Sequence, residues 1–163
     1  MDTNRIPSVL GPEDGEAFWG IDGSLWTMKA DTAQTHGQFS LLEEVAPRGD
    51  GTPLHVHGED DEAFYILEGT LTFRLGDDPP RQVAAGGFVH IPGGTVHAFK
   101  VDSESARYLI ITTPQHERFY RAISERASTR SLPPPRPLDM DKVEAACAEH
   151  GVEILGPPPG IEA

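Results

Sequence analysis

An all-β barrel or sandwich followed by accessory helices is the fold class this sequence predicts. Three observations carry it. Short apolar runs recur between turn residues across residues 24–101. One of those runs alternates strictly with polar residues. After Thr113-Pro114 the spacing changes to that of helices.

The strand-length runs are Leu25-Trp26-Thr27-Met28, Gln38-Phe39-Ser40-Leu41-Leu42-Glu43, Ala63-Phe64-Tyr65-Ile66-Leu67, Thr70-Leu71-Thr72-Phe73-Arg74-Leu75 and Phe88-Val89-His90-Ile91-Pro92. In the fourth, Leu71, Phe73 and Leu75 alternate with Thr72 and Arg74, as in a strand buried on one face. Glu68-Gly69 and Gly76-Asp77-Asp78-Pro79-Pro80 supply turn chemistry between runs. Many short strands at near-regular spacing suit a barrel or sandwich. Residues 1–23, rich in Gly, Pro and acids, read as an N-terminal arm with room for one early strand. The barrel then occupies residues 24–113. In the C-terminal part, residues 114–163, Phe119, Ala122 and Ile123 place an amphipathic helix within residues 115–127. Pro133-Pro134-Pro135-Arg136-Pro137 reads as a stiff connector. Asp139 as N-cap and Gly151 as C′ residue bound a second helix with an apolar stripe of Met140, Val143, Ala146 and Cys147. An extended tail runs from Ile154 to Pro159. The helices are expected to pack outside the barrel or across a dimer partner.

The chain has 163 residues, enough for one core without staples. No apolar run reaches the roughly 20 residues that span a bilayer. The first seven residues lack the apolar stretch of a secretory signal, and Cys147 alone makes no internal disulfide. A cytoplasmic protein is expected. A net charge of −13 opposes binding to nucleic acid or to an anionic membrane. It is compatible with a small or aromatic substrate.

The chemistry concentrates in two segments. The first holds His55-Val56-His57 and, after a turn, Glu59, Asp60, Asp61 and Glu62. Residues two apart on a strand share a face, with Cβ atoms roughly 6–7 Å apart, so His55 and His57 converge. Two imidazoles and a carboxylate suit a first-row transition metal. Glu62 opens an apolar strand that fixes its direction; the other three acids read as solvated loop charges. The second segment ends one strand at the tight turn Pro92-Gly93-Gly94 and begins another at His97, a third imidazole. A single His-x-His pair is ordinarily surface or core histidine, so the weight lies on the full set. His36, His90, His116 and His150 lack such a frame; His36 reads as exposed or hydrogen-bonded, with the pocket mouth as its lesser reading. Cys147 reads as packing.

These segments resemble the paired motifs of the cupins. The first is Gly, five residues, His-x-His, four residues, Glu, six residues, Gly, met by Gly49, His55, His57, Glu62 and Gly69. The second is Gly, five residues, Pro-x-Gly, two residues, His, met by Gly86, Pro92, Gly94 and His97. The Asn that closes the second motif is replaced by Val101; that Asn is not a metal ligand in the family. One motif pair implies one jelly-roll (double-stranded β-helix) cupin barrel. The stretch from Glu62 to Leu75, the exit at Thr113-Pro114 into a helix with Phe119-Tyr120, and the Pro-rich linker to a second helix resemble actinobacterial quercetin 2,3-dioxygenase-like cupins.

The resemblance implies His55, His57, Glu62 and His97 as ligands of a divalent transition metal, whether Fe, Mn, Co, Ni, Cu or Zn. It implies Glu62 as the base that takes a substrate hydroxyl proton, O2 as co-substrate in cleavage of a flavonol or similar enolic aromatic, and a homodimer. Phe39, Phe64, Phe73, Phe88 and Phe99 are candidates to line an apolar substrate pocket; by alternation Phe64 shares a face with Glu62, and Phe99 with His97. Two other functions fit the same ligands: a non-redox cyclase or isomerase of polyketide-type metabolism, with the metal as Lewis acid, and a small-molecule-binding cupin without turnover.

Overall fold

The computed structural model describes residues 7–135 and 137–158. Readings that fall on the first six residues, on Arg136 and on residues 159–163 lie outside it. Ten strands precede the first helix: β1 (Glu16–Trp19), β2 (Leu25–Ala30), β3 (Ser40–Pro47), β4 (Leu54–His57), β5 (Glu62–Glu68), β6 (Thr70–Leu75), β7 (Arg81–Ala84), β8 (Phe88–Ile91), β9 (His97–Val101) and β10 (Ser105–Thr112). Helix α1 (Pro114–Ile123), strand β11 (Glu125–Arg126), helix α2 (Met140–His150) and strand β12 (Val152–Gly156) follow. The strands form a seven-stranded sheet in the order β11-β1-β2-β3-β10-β5-β8 and a five-stranded sheet in the order β12-β4-β9-β6-β7. All pairings between strands are antiparallel. The two sheets face each other in a jelly roll, as expected.

The core forms where the inward faces meet. Phe64 of β5 packs against Phe73 of β6, Phe99 of β9 and Tyr108 of β10, with ring centroids 5.2, 5.4 and 6.0 Å away. Edge-on and tilted ring pairs of this kind add to the area they bury. Strand β3 shows the period of two plainly: Ser40, Leu42, Glu44 and Ala46 are buried, and the residues between them are half-buried. A carboxylate thus occupies a core position beside Leu42 and Ala46.

The ends of the chain complete the sheets. The segment expected as an arm contributes β1, which pairs along β2. The extended tail contributes β12, which pairs with β4 and so lies beside the two histidines. Helix α1 is shorter than the run over residues 115–127. It stops at Ile123, and Glu125 and Arg126 leave the helix to pair with Trp19 and Phe18 at the sheet edge. Its start is set by Thr113, whose hydroxyl accepts from the His116 N–H at 3.3 Å, with Pro114 in the first turn. Helix α2 has the predicted caps: Asp139 accepts from the Lys142 N–H at 3.1 Å, and Gly151 takes φ 70°. The helices do not pack along the outside of the barrel. They lie over its open end, where Val143, Cys147 and Val152 form a small second core against Phe119 and Ile21. Cys147 is packing, as expected. Among the described residues, no helix is long and apolar enough to cross a membrane.

Candidate metal centre

Strand β4 carries His55 and His57, and β9 begins at His97, which pairs in register with His55. The turn before β9 is tied to β4 by the Gly94 N–H, which donates to the His57 carbonyl at 2.9 Å. Gly94 has φ 80°, a backbone state that costs a residue with a Cβ. Gly69, at φ 83°, is needed more strongly: a Cβ there would meet the Ser105 carbonyl at 2.5 Å. Glu62 enters from the opposite sheet as the first residue of β5, registered with Thr112 and Ile91.

All four side chains are buried; His57 is 1% exposed and Glu62 3%. The imidazoles are oriented by backbone carbonyls. Nδ1–H of His55 donates to Pro53 at 2.9 Å, that of His57 to Asp60 at 2.7 Å and that of His97 to Thr95 at 2.8 Å. These bonds assign the proton to Nδ1 and leave Nε2 as a lone pair on each ring. The Nε2 atoms of His57 and His97 are buried and have no hydrogen-bond partner. They lie 3.5 and 3.6 Å from Glu62 Oε2. The three histidines offer donor atoms within 4.8 Å of one another. Converging, desolvated imidazole lone pairs, each fixed by a second-sphere carbonyl, together with one carboxylate, are the donor set of a transition-metal site.

The other Glu62 oxygen faces helix α1. Tyr120 donates its hydroxyl to Oε1 at 2.5 Å, and His116 Nε2 lies 3.4 Å from the same atom. Burial alone would raise Glu62. The surrounding imidazoles, His116 foremost, outweigh it and hold the carboxyl well below its usual range. Burial and then the neighbouring His97 push His55 down to about 4. For His57, burial pulls down but the Glu62 carboxylate prevails, and the ring sits above its usual value. Tyr120 is raised well above the ordinary phenol value by burial and then by the Glu62 charge.

One expectation is corrected here, and one residue without a motif frame joins the site. That residue is His116: it is 2% exposed, its ring tilted against that of His57 with centroids 4.3 Å apart, and turned onto Glu62. Its frame is helical rather than stranded: His116 and Tyr120 are one turn apart on α1, a spacing visible in the sequence once a helix is placed over the barrel mouth. Asp60 is no solvated loop charge. It is buried, its carbonyl orients His57, and its carboxylate accepts from the Thr113 hydroxyl. Asp61 accepts from the Gly93 N–H at 2.8 Å at the surface, and Glu59 is exposed. His36 is exposed, as anticipated; His90 is exposed too, and His150 is half-buried, its ring edge-on to Phe119 at 6.4 Å.

A cavity of about 410 Å³ opens from His55, Glu62, His97 and His116 outward between the helices. Its walls are largely apolar: Trp26, Phe99, Phe119, Ile123, Val143 and Ile154 among them. Of the five phenylalanines singled out as pocket candidates, Phe99 lines this cavity. Phe64 and Phe73 lie behind it in the closed core. Phe39 is 40% exposed just ahead of β3, and Phe88 is 61% exposed on the outward face of β8. Strand alternation placed Phe99 correctly beside His97. The length of the barrel interior, which hides Phe64 and Phe73 below the site, is not written in any one strand.

With this geometry in view, similarity to known proteins can be placed on it. Residues 41–112 match the family model described as the cupin domain. The barrel has the cupin fold. The chain is 30% identical to quercetin 2,3-dioxygenase of Bacillus subtilis over 154 residues, covering 93% of this chain and 45% of that protein. It is 40% identical over 58 residues to an uncharacterized protein of Methanocaldococcus jannaschii, covering 36% of this chain and 46% of that one. The chain thus spans about half the length of the curated relatives it matches. Among solved structures, the polyketide cyclase RemF from Streptomyces resistomycificus superposes with a TM-score of 0.59 at 23% identity, covering 85% of this chain and 92% of that one. KdgF from a Halomonas species superposes at 0.58 with 16% identity, over 67% and 94% of the two chains. At these identities the superpositions speak for the shared cupin fold.

Proposed function

We propose that this cupin is a metal-dependent dioxygenase, quercetinase-like, that cleaves a flavonol or similar enolic aromatic with O2. The observation that carries the reading is the convergence of three imidazole lone pairs and the Glu62 carboxylate at the inner end of an apolar cavity of about 410 Å³. The 30% identity to a quercetin 2,3-dioxygenase along most of the chain supports it.

His55, His57 and His97 would hold the metal through Nε2, and Glu62 through Oε2. A divalent transition metal bound there supplies an open coordination position and Lewis acidity toward an enolic oxygen. The chain's own residues do the rest. Glu62 is the carboxylate that stands beside the imidazoles at the inner end of the cavity, and it takes the substrate hydroxyl proton. Its Oε1 is held by Tyr120 and flanked by His116, so the proton arrives on a group already oriented. Phe99 and Phe119 offer ring faces to a flat substrate, and Val143 and Ile154 keep water from the site. Oxygen uptake by metal-loaded protein with a panel of flavonols and related enols tests the reading, with Glu62→Gln as the control.

A second reading has one observation in its favour. The Tyr120–Glu62–His116 group moves protons without an oxidant, as a cyclase or isomerase of polyketide-type substrates requires, and the chain shares its fold with a polyketide cyclase over 85% of its length. It predicts turnover by zinc-loaded protein without oxygen, which the dioxygenase reading forbids.

A further inference from the structure

A second group of donors, two of them buried, lies beside the same cavity, with Asp22 and Glu44 on its wall, and takes no part in the chemistry above. Glu44 points inward from β3 between Leu42 and Ala46. Asp50 sits in the turn between β3 and β4, its backbone pinned by the Val101 N–H on its carbonyl at 2.8 Å. Asp22 comes from the β1–β2 loop, with Oδ1 accepting from the Ser24 N–H at 3.1 Å and the Ser24 hydroxyl at 2.6 Å. The three carboxylates present oxygens within 4.8 Å of one another. We propose that Asp22, Glu44 and Asp50 form a second cation site, for a hard divalent ion of the Ca2+ or Mg2+ class, distinct from the histidine centre.

Four observations carry this. The oxygen spacing is that of ligands sharing one ion, since Ca–O bonds of about 2.3–2.6 Å put ligand oxygens at most about 5 Å apart. Glu44 is 2% exposed and Asp50 7%; Trp26, Ser24 and Tyr108 approach Glu44 and the Gly51 N–H approaches Asp50, yet Glu44 Oε1 and both Asp50 carboxylate oxygens lack a well-formed hydrogen bond among the described residues. Buried carboxylates so placed are costly unless a proton or a cation satisfies them. The Tyr108 hydroxyl is fully buried and faces Glu44 without a well-formed hydrogen bond; burial, then the charges of Glu44, Asp50 and Asp22, push its ionisation well above the usual value. No basic side chain figures among the groups acting on Glu44 or Asp50. An all-oxygen donor set discriminates against the softer ions that imidazoles favour, so the two sites sort metals by chemistry.

Without a cation, burial and then the Asp22 charge hold Glu44 at about 8 and Asp50 at about 10, so both carry protons at neutral pH. Cation binding therefore releases protons. The test is calorimetric titration of CaCl2 and of MgCl2 into the full chain, its histidine centre loaded with Zn2+, in buffers of differing ionisation enthalpy. Wild type, Asp22→Asn and Glu44→Gln are compared. The expected result is one saturable site for one of the two ions, with proton release, abolished in Glu44→Gln. Asp22→Asn, at an exposed position that leaves the core intact, is expected to weaken it by roughly tenfold or more, because ligand charge sets affinity in such sites. Absence of saturable binding of either ion to wild type overturns the proposal. So does unchanged affinity in Asp22→Asn, which decides the matter even where Glu44→Gln does not fold.

Discussion

Glu62 divides its two oxygens between two tasks. Oε2 faces the imidazoles of His57 and His97; Oε1 faces Tyr120 and His116. Glu62→Gln keeps the shape and removes the base, and is expected to lower oxygen uptake at least about 100-fold. Tyr120→Phe removes the hydrogen bond to Oε1 alone. On the proposed mechanism it leaves metal content unchanged, lowers kcat by roughly tenfold and moves the pH profile of kcat/KM, since it changes how the base is held rather than whether it is present. An unaltered profile in Tyr120→Phe would place the tyrosine outside the mechanism. At this scale the sequence was informative where spacing is rigid. His55, His57, Glu62 and His97 follow from strand period and motif frame. His116, Tyr120 and Asp60 do not, because their roles depend on where a helix and a loop lie relative to the barrel, and no local pattern encodes that distance.

Helix α1 is the element that roofs the site, since it brings His116, Phe119 and Tyr120 over the candidate metal ligands. Its position rests on Thr113. The hydroxyl caps the helix by accepting from His116 N–H and donates to Asp60, whose carbonyl orients His57. Thr113→Ala is expected to cost about 1–2 kcal/mol of stability by loss of the cap and of this tie. It should also weaken metal retention, as second-sphere changes do by roughly tenfold or more. Thermal unfolding and metal analysis of the same preparation check both. Thr113→Ser, which keeps the hydroxyl, is expected to restore them. The helix itself was legible from its apolar spacing, and α2 from its caps. The early end of α1 was not, because sheet pairing of Glu125 and Arg126 overrides a run that could continue as helix. Strands β1 and β12 were legible only as an arm with room for one early strand and as an extended tail, because each is short and gains its stability from the neighbour it pairs with.

The molecule as a whole carries its acidic character inward as well as outward. Most of the −13 charge is at the surface, but Glu44 and Asp50 are core residues. The period of β3 implies that Glu44 faces inward only once that strand is extended past Glu43 to Pro47. In the unfolded chain Glu44 and Asp50 ionise near their ordinary values of 4.5 and 3.8; in the cation-free folded chain they hold protons to about 8 and about 10. The folded state therefore binds more protons between these limits, and its stability falls as pH rises through the window. Urea midpoints of the cation-free protein between pH 5 and 8 are expected to drop with pH, and to drop less steeply in Glu44→Gln. Equal slopes in the two proteins would contradict the buried charge. The apolar part of the same interior is conventional: Phe64→Ala, at a position 1% exposed among three other rings, is expected to cost about 3–5 kcal/mol.

The central claim is an open metal centre of three histidines and Glu62 that uses O2 on an enolic aromatic. The most direct measurement couples metal analysis of the purified chain to an oxygen electrode. The account predicts one transition-metal ion per chain, lost in His57→Ala and His97→Ala, and oxygen uptake that needs both that metal and a flavonol-type substrate. Metal-loaded protein that takes up no oxygen across the panel, or that turns the same substrate over equally well under nitrogen, would contradict it.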